Sequence, residues 1–262
     1  GEADVLIQAE NDAETIERAL RYLGDYFPAV PRHELEVLAH CPVAVHEAGS
    51  ELVAAGTVRE EVLFLLAGIV EARDPAGGPA RRLSAGALIG EITAIAGEPA
   101  RRTHVATSEV TALCIPLATC REFIRRNGLF EELLHLRELR RFLESTPLFA
   151  DTVSFHVLHR VARKLVTRGA PAGDEPARDG CLGLLLEGRV VLETSNGRVE
   201  EVAPGGFWGE DELLCRMSPV RARAVTRVSY ALLPASEVAA IPIVTWKLLE
   251  TCDRRRRHEN ST

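Results

Sequence analysis

A set of spaced residues in this chain returns once at a nearly constant offset. Gly68 reappears as Gly188, Gly90-Glu91 as Gly209-Glu210 and Val105 as Val225, displaced by 120, 119 and 120 residues. Solenoid units are far shorter, roughly 20–45 residues, and rely on their neighbours for a core. A repeat of this length must instead enclose a core of its own in each copy. With 262 residues and 46% hydrophobic content, the chain has enough apolar material for two such cores. The repeat divides it into an N-terminal helix plus first domain over 1–139, a second domain over 140–253 and a basic, polar tail over 254–262.

Local pattern agrees with a duplicated mixed α and β unit. Asn11 or Asp12 can cap a first helix in which Ile16, Ala19, Leu20, Leu23 and Phe27 recur at three- and four-residue intervals, and Pro28 and Pro31 stop it. A short helix over 33–38 leads into apolar runs punctuated by Gly49, Gly56, Gly68 and Gly77-Gly78, the pattern of strands and turns. Helical spacing resumes from Leu117 to Leu143, with a break at Asn127-Gly128. After Pro147 the series recurs as a helix around 157–165, strands over 180–233 and a closing helix around 243–251.

Composition removes several classes of function. A formal charge of −7 is unsuited to coating nucleic acid, which requires a cationic surface, and Arg254-Arg255-Arg256-Arg257 reads as part of a solvated terminus. About a dozen residues follow the last helix, too few for a helix-turn-helix DNA reader. No apolar run reaches the roughly 18 residues of a membrane span and no secretory signal opens the chain, so a cytoplasmic location is expected. Cys41, Cys114, Cys120, Cys181, Cys215 and Cys252 form no Cys-x-x-Cys pair. His156 and His159 share a helix face without a third ligand at metal spacing, so no metal and no cofactor are expected. A nucleophile elbow, a phosphate-loop lysine and a metal cluster are all lacking from the sequence, which argues against an enzyme.

The chemistry concentrates in the segment from Gly86 to Val105. Gly90, Glu91, Ile92 and Thr93 make a turn of small residues whose backbone N–H groups can converge on an anion, and Arg101 or Arg102 can reach back to a phosphate. A carboxylate there would repel a phosphate unless it held another polar group, and a sugar hydroxyl suits Glu91. Phosphate, ribose and an apolar strand surface together describe a nucleotide.

These residues resemble the phosphate-binding cassette of the cyclic nucleotide-binding domain family, whose motif runs apolar, Gly, Glu, aliphatic, small, then Pro-Arg and a Val four residues after the Arg. Ile89-Gly90-Glu91-Ile92-Thr93, Pro99, Arg101 and Val105 match it, with Ala100 inserted between Pro and Arg. The second copy offers Trp208-Gly209-Glu210, Pro219, Arg221 and Val225, with Val220 inserted and Ala222 following. Leu65-Leu66-Ala67-Gly68 and Leu185-Leu186-Glu187-Gly188 are similar to the family's strand-and-glycine element.

The resemblance implies an α+β fold of two β-rolls, double-stranded and jelly-roll-like, each with flanking helices. It implies that Glu91 holds the ribose hydroxyl and Arg101 the cyclic phosphate, with Glu210 and Arg221 repeating those roles. Arg101 is preferred because its spacing to Val105 equals that of Arg221 to Val225. Arg102 followed by Thr103 is the rival, since it resembles cassettes in which a hydroxyl after the arginine helps bind guanine. Asp211-Glu212 departs from the motif and adds negative charge beside the second site.

The function implied is a regulatory module that binds cyclic AMP or cyclic GMP and relays occupancy through its helices. The alternative is an interaction or oligomerisation module that retains the fold without a nucleotide. Because the chain opens at Gly1, it is read as a regulatory fragment of a longer protein, with an effector domain or a second copy as partner.

Overall fold

The structure is a computed structural model that describes residues 6–8, 11–150, 154–193, 197, 199–214 and 220–257. The chain divides into two compact units, Gly1–Arg137 with Val153–Arg160, and Glu138–Thr152 with Val161–Thr262. Among the described residues no helix is long and apolar enough to cross a membrane, and no group of His, Cys, Asp and Glu could hold a metal ion.

Unit 1 runs β1 (Leu6–Gln8), α1 (Ala13–Tyr26), α2 (Arg32–Ala39), β2 (Val43–His46), β3 (Glu51–Val53), β4 (Glu61–Ala67), β5 (Val70–Arg73), β6 (Arg81–Leu83), β7 (Leu88–Ile89), α3 (Glu91–Ala96), β8 (Thr103–Ala106), β9 (Val110–Pro116), α4 (Leu117–Arg126) and the first half of α5 (Phe130–Ser145). Asp12 caps α1 by accepting the Thr15 N–H at 2.7 Å. One face of that helix, with Ala19, Leu20 and Leu23, is buried. Tyr26 meets Phe64 of β4 edge-on and Phe27 meets Phe123 of α4, so aromatic contacts fix the helices on the outside of the sheets. The strands form two antiparallel sheets, β1-β2-β9-β4-β7 and β3-β8-β5-β6. Between them lies an apolar interior that includes Leu52, Leu63, Leu65, Val70, Ile89 and Ala106.

Unit 2 contains the end of α6 (Phe155–Lys164), then β10 (Val166–Ala170), β11 (Cys181–Glu187), β12 (Val190–Glu193), β13 (Val199–Val202), β14 (Phe207–Trp208), α7 (Glu210–Leu213), β15 (Arg221–Ala224), β16 (Val228–Pro234), α8 (Ala235–Ala239) and α9 (Pro242–Arg257). Its sheets, β10-β16-β11-β14 and β13-β12-β15, repeat the pairing order of β2-β9-β4-β7 and β6-β5-β8. The repetition reaches single residues. β4 shifts register between Leu65 and Ala67, and β11 does so between Leu185 and Glu187. The glycine after each bulge has φ +89°, and a Cβ there would lie 2.2 Å from the Glu109 carbonyl oxygen in one unit and 2.5 Å from that of Arg227 in the other. Gly68 and Gly188 therefore recur because nothing larger fits at either turn.

The interiors differ. Where Leu63 faces Ile89 across β4 and β7, Gly183 faces Trp208 across β11 and β14. Trp208 is 1% exposed and tilts against Tyr230 at 5.7 Å between centroids. Gly183 is required by that packing, because a Cβ on it would lie 2.4 Å from the indole. Gly183→Ala is expected to displace Trp208 and destabilise unit 2 by about 1–3 kcal/mol, as overpacking of a filled core does. Urea unfolding monitored by tryptophan emission checks this, since Trp208 is 1% exposed against 57% for Trp246 and contributes most of the red shift on exposure. An unchanged midpoint and spectrum would show that the interior has room to spare.

Candidate functional site

The site expected from sequence begins where β7 ends. Gly90 sits in the left-handed region at φ 95° and its position leaves no room for a side chain, because a Cβ would come within 2.9 Å of Val62. The turn it makes starts α3, and Glu91, the first helical residue, is buried at 8% exposure. Thr93 is also buried: its hydroxyl donates to the Glu98 carbonyl at 2.7 Å, and its own carbonyl accepts from Arg121 of α4 at 3.0 Å. Ile92 is half-buried. The cassette helix is thus closed on itself by Thr93 and tied to α4 by one guanidinium.

Strand β8 decides which of the following side chains enter the roll. Val70 is paired with Ala106, and both are buried in the interior; Ala72 is paired with His104. Directly paired residues point to the same face, so His104 faces inward, while Thr103 and Val105 take the outer face opposite Arg73 and Glu71. Arg102, one residue earlier than the strand, has Nη1 buried with no hydrogen-bond partner. Arg101 takes the outer side, exposed and paired with Glu98 at 2.7 Å. The Thr103 hydroxyl accepts from the Ala55 N–H at 3.1 Å.

Ala100 is not a looped-out insertion. Its N–H donates to the Thr57 carbonyl, its carbonyl accepts from the Gly56 N–H, and its side chain is buried in the roll interior. The inward place immediately after Pro99 therefore carries a methyl group. The interior cation is supplied two residues later by Arg102. His104, which composition and spacing did not single out, stands with it inside the roll: its Nδ1 is buried without a hydrogen-bond partner. Desolvation pushes the His104 pKa down to about 4, with Arg102 repelling the proton in the same direction and a hydrogen bond to the Arg102 main chain opposing it.

The corresponding places in unit 2 are arranged differently. Gly209 has φ 94° and starts α7, as Gly90 starts α3. Glu210, 3% exposed, holds Arg255 of α9 by Nη1 at 2.5 Å. The same guanidinium donates to both Glu200 oxygens at 3.0 and 3.2 Å and to the Phe207 carbonyl, and lies 5.3 Å from the Phe207 ring centre. Burial disfavours its charge, yet the two carboxylates outweigh burial and raise its pKa. Arg255, expected in a solvated tail, is thus a largely buried last-turn residue of α9, because the buried Glu210 carboxylate would be costly to leave unpaired. Asp211 accepts the Val220 N–H at 3.2 Å and has Arg178 at 3.8 Å, and the same arginine lies 3.7 Å from Glu212. Arg221 points outward from β15 and Ala222 inward. Cys215, Pro219 and residues 258–262 lie outside the described residues.

Because His104 holds its proton less tightly when folded than when unfolded, the unfolded chain protonates first as pH falls. Stability is expected to decline as pH drops from about 6.5 to about 4, by about 2 kcal/mol between pH 7 and pH 5 from this residue, and then to level off with respect to it. His46, also lowered by burial and then by Arg59, adds in the same direction. Chemical denaturation at pH 7 and pH 5 tests this, with the decline expected to shrink in His104→Gln. An equal decline in wild type and variant would assign it to other groups.

Residues 44–127 match the family model described as the cyclic nucleotide-binding domain. No curated protein matches the chain. Among solved structures, it is similar to a mutant regulatory subunit of a cAMP-independent protein kinase A from Trypanosoma brucei bound to cAMP in the A site, at 18% identity over 93% of each chain with a TM-score of 0.52. The corresponding regulatory subunit from Trypanosoma cruzi, bound to guanosine, is 18% identical over 96% of this chain and 92% of that one, with a TM-score of 0.50. A cAMP-bound chain designated PfPKA-R is 15% identical over 93% of each chain, with a TM-score of 0.54. At these identities the likeness is one of fold, while the family match covers the segment that holds Gly90, Glu91, Arg102 and His104; residues 44–127 are a domain of the cyclic nucleotide-binding family.

Proposed function

We propose that unit 1 binds a cyclic nucleotide reversibly, with Glu91 on the ribose hydroxyl and Arg102 on the phosphate, and that the chain is a regulatory module without chemistry of its own. The observation that carries this reading is Arg102. A half-buried arginine whose Nη1 is itself buried and unpartnered, on the inward-facing side of the matched domain, is a costly arrangement that an anionic ligand would complete. Gly90, Glu91, Ile92 and Thr93 supply the turn around it, and Arg121 is placed to report on it, since its hydrogen bond joins the Thr93 carbonyl to α4. Occupancy passes by this route from the cassette to α4 and α5, and from there to an effector domain or a second copy of the chain. The described cysteines are free thiols, which suits a cytoplasmic setting.

Unit 2 is a second roll of the same kind that takes no nucleotide in this reading. Trp208 and Tyr230 fill its interior, Arg255 occupies the Glu210 carboxylate, and Arg221 faces away. It serves to hold partners rather than ligand.

A second reading has a specific observation behind it. Ala100 stands directly after Pro99, where the family motif has arginine, and the Trypanosoma cruzi relative is bound to guanosine. A purine nucleoside, which brings no phosphate, would also suit a roll whose cation lies further in.

Calorimetric titration with cAMP, cGMP and guanosine separates these readings. For a cyclic nucleotide, Arg102→Ala should weaken binding roughly 10- to 100-fold, the loss of a charge-assisted hydrogen bond. Arg101→Ala and Arg221→Ala should leave it within about twofold, because both side chains are exposed and screened. Guanosine binding that survives Arg102→Ala, without cyclic nucleotide binding, would select the nucleoside reading. Absence of binding by all three at millimolar concentration would leave the interaction module.

A further inference from the structure

Inside the roll of unit 1, beyond Arg102, the next inward position of the same strand is also polar. His104 lies between Val53 of β3 and Ala72 of β5 in the pairing of its sheet, with Arg81 the next partner beyond Ala72. Val53 and Ala72 are buried, and Ala72 contributes only a methyl group, so the imidazole faces the interior across a shallow floor. Its neighbours along the strand on that face are Arg102 and Ala106. The Nδ1 atom has neither a protein partner nor access to solvent. Buried polar nitrogens in folded proteins are overwhelmingly hydrogen-bonded, and each exception calls for a missing partner or a function.

Unit 2 provides an internal comparison. Pairing of Val190 with Ala224 corresponds to that of Val70 with Ala106, so the counterpart of His104 is Ala222 and the counterpart of Arg102 is Val220. The roll whose interior is filled by Trp208 has apolar residues at both places. The roll without that indole has both polar residues. The two polar side chains are thus found in the roll that lacks the indole.

The spacing says which part of a ligand each one meets. Arg102 is nearer to Pro99 and the cassette, and His104 is two residues, about 7 Å, further along the strand and away from it. That displacement is comparable to the separation of phosphate and base in a nucleotide. We infer that His104 is the base-reading residue of this site, hydrogen-bonding through its imidazole to the ring edge of a purine whose sugar and phosphate lie toward Glu91 and Arg102. The inference rests on the ligand-binding role of unit 1 given above and adds the residue that sets its specificity. An imidazole suits this task, since its buried, unpartnered Nδ1 can pair with one polar group of a base edge. A site built to pair with one such group discriminates against a base that lacks it, because its own buried atom is then left unpaired.

The test is titration of the full chain with cAMP, cGMP, guanosine and the pyrimidine cyclic CMP, on wild type, His104→Ala, His104→Gln and Arg102→Ala. His104→Ala is expected to weaken the best-bound purine about tenfold and to bring the adenine-to-guanine affinity ratio toward one, while changing cyclic CMP little. His104→Gln, which retains a hydrogen-bonding group, should recover part of the loss. Arg102→Ala should weaken the three cyclic nucleotides alike and leave their ratios intact. Should the alanine variant melt early, the ¹⁵N shift of His104 Nδ1 in the wild-type chain decides, and it is expected to move on saturation with the best-bound purine. Unchanged purine affinities and ratios in His104→Ala, or an unmoved Nδ1 signal, would overturn the role of His104 while leaving Arg102 as the ligand partner. A wild-type chain that binds none of the four compounds would overturn the binding role itself and the inference with it.

Discussion

The pairing of Val70 with Ala106 is the contact on which the interior of unit 1 depends. It sets the register of β8 against β5, and side chains on a strand alternate between faces. With this register Ala72 and His104 share the inner face and Arg73 and Thr103 the outer one. A slip by one residue would bring Thr103 and Val105 inside and place His104 in water. Two buried aliphatic side chains therefore determine which polar groups are available to a ligand, although neither has any chemistry to offer one.

The two units show how one backbone pattern accommodates opposite electrostatic solutions. Each starts a short helix from a left-handed glycine and follows it with a buried glutamate. In unit 2 the charge of Glu210 is answered from within, by a guanidinium that has left the solvent and taken Glu200 and Phe207 as additional partners. The carboxylates of Asp211 and Glu212 are answered by Arg178. In unit 1 the polar atoms of the inner strand are held in place and not all of them are satisfied. Since a buried donor left without an acceptor is costly, such atoms weigh against stability.

Much of this was legible in the sequence where local chemistry dictates geometry. Asp12 as a cap, the helix break at Asn127-Gly128, and the glycines at 68, 90, 188 and 209 are cases where one residue type answers one backbone demand, and the structure places each there. The choice between Arg101 and Arg102 was not legible. Equal spacing of Arg101 to Val105 and Arg221 to Val225 is real, but Arg101, Arg221 and Val225 are exposed and Val105 pairs with Glu71 on the outer face, so the spacing aligns positions of outward parity. Facing is set by pairing partners some thirty residues away, which a linear count does not contain. β10 was missed for a related reason: four of its five residues are exposed, so it shows no alternation, and its place is fixed by β16. Arg255 was missed because a run of arginines has no local feature to distinguish the one that finds two carboxylates.

Gly183 and Trp208 constrain each other's history. While the indole occupies the space beside β11, any residue with a Cβ at position 183 collides with it; and with only a hydrogen at 183, shrinking the indole leaves a void that costs stability. Neither position can change alone without a penalty, so single substitutions from either side meet resistance. The interior of unit 1, where Leu63 faces Ile89, and that of unit 2, where Gly183 faces Trp208, are in that sense separated by a fitness barrier, and descendants of this chain would be expected to keep the asymmetry long after the selective reason for it had gone.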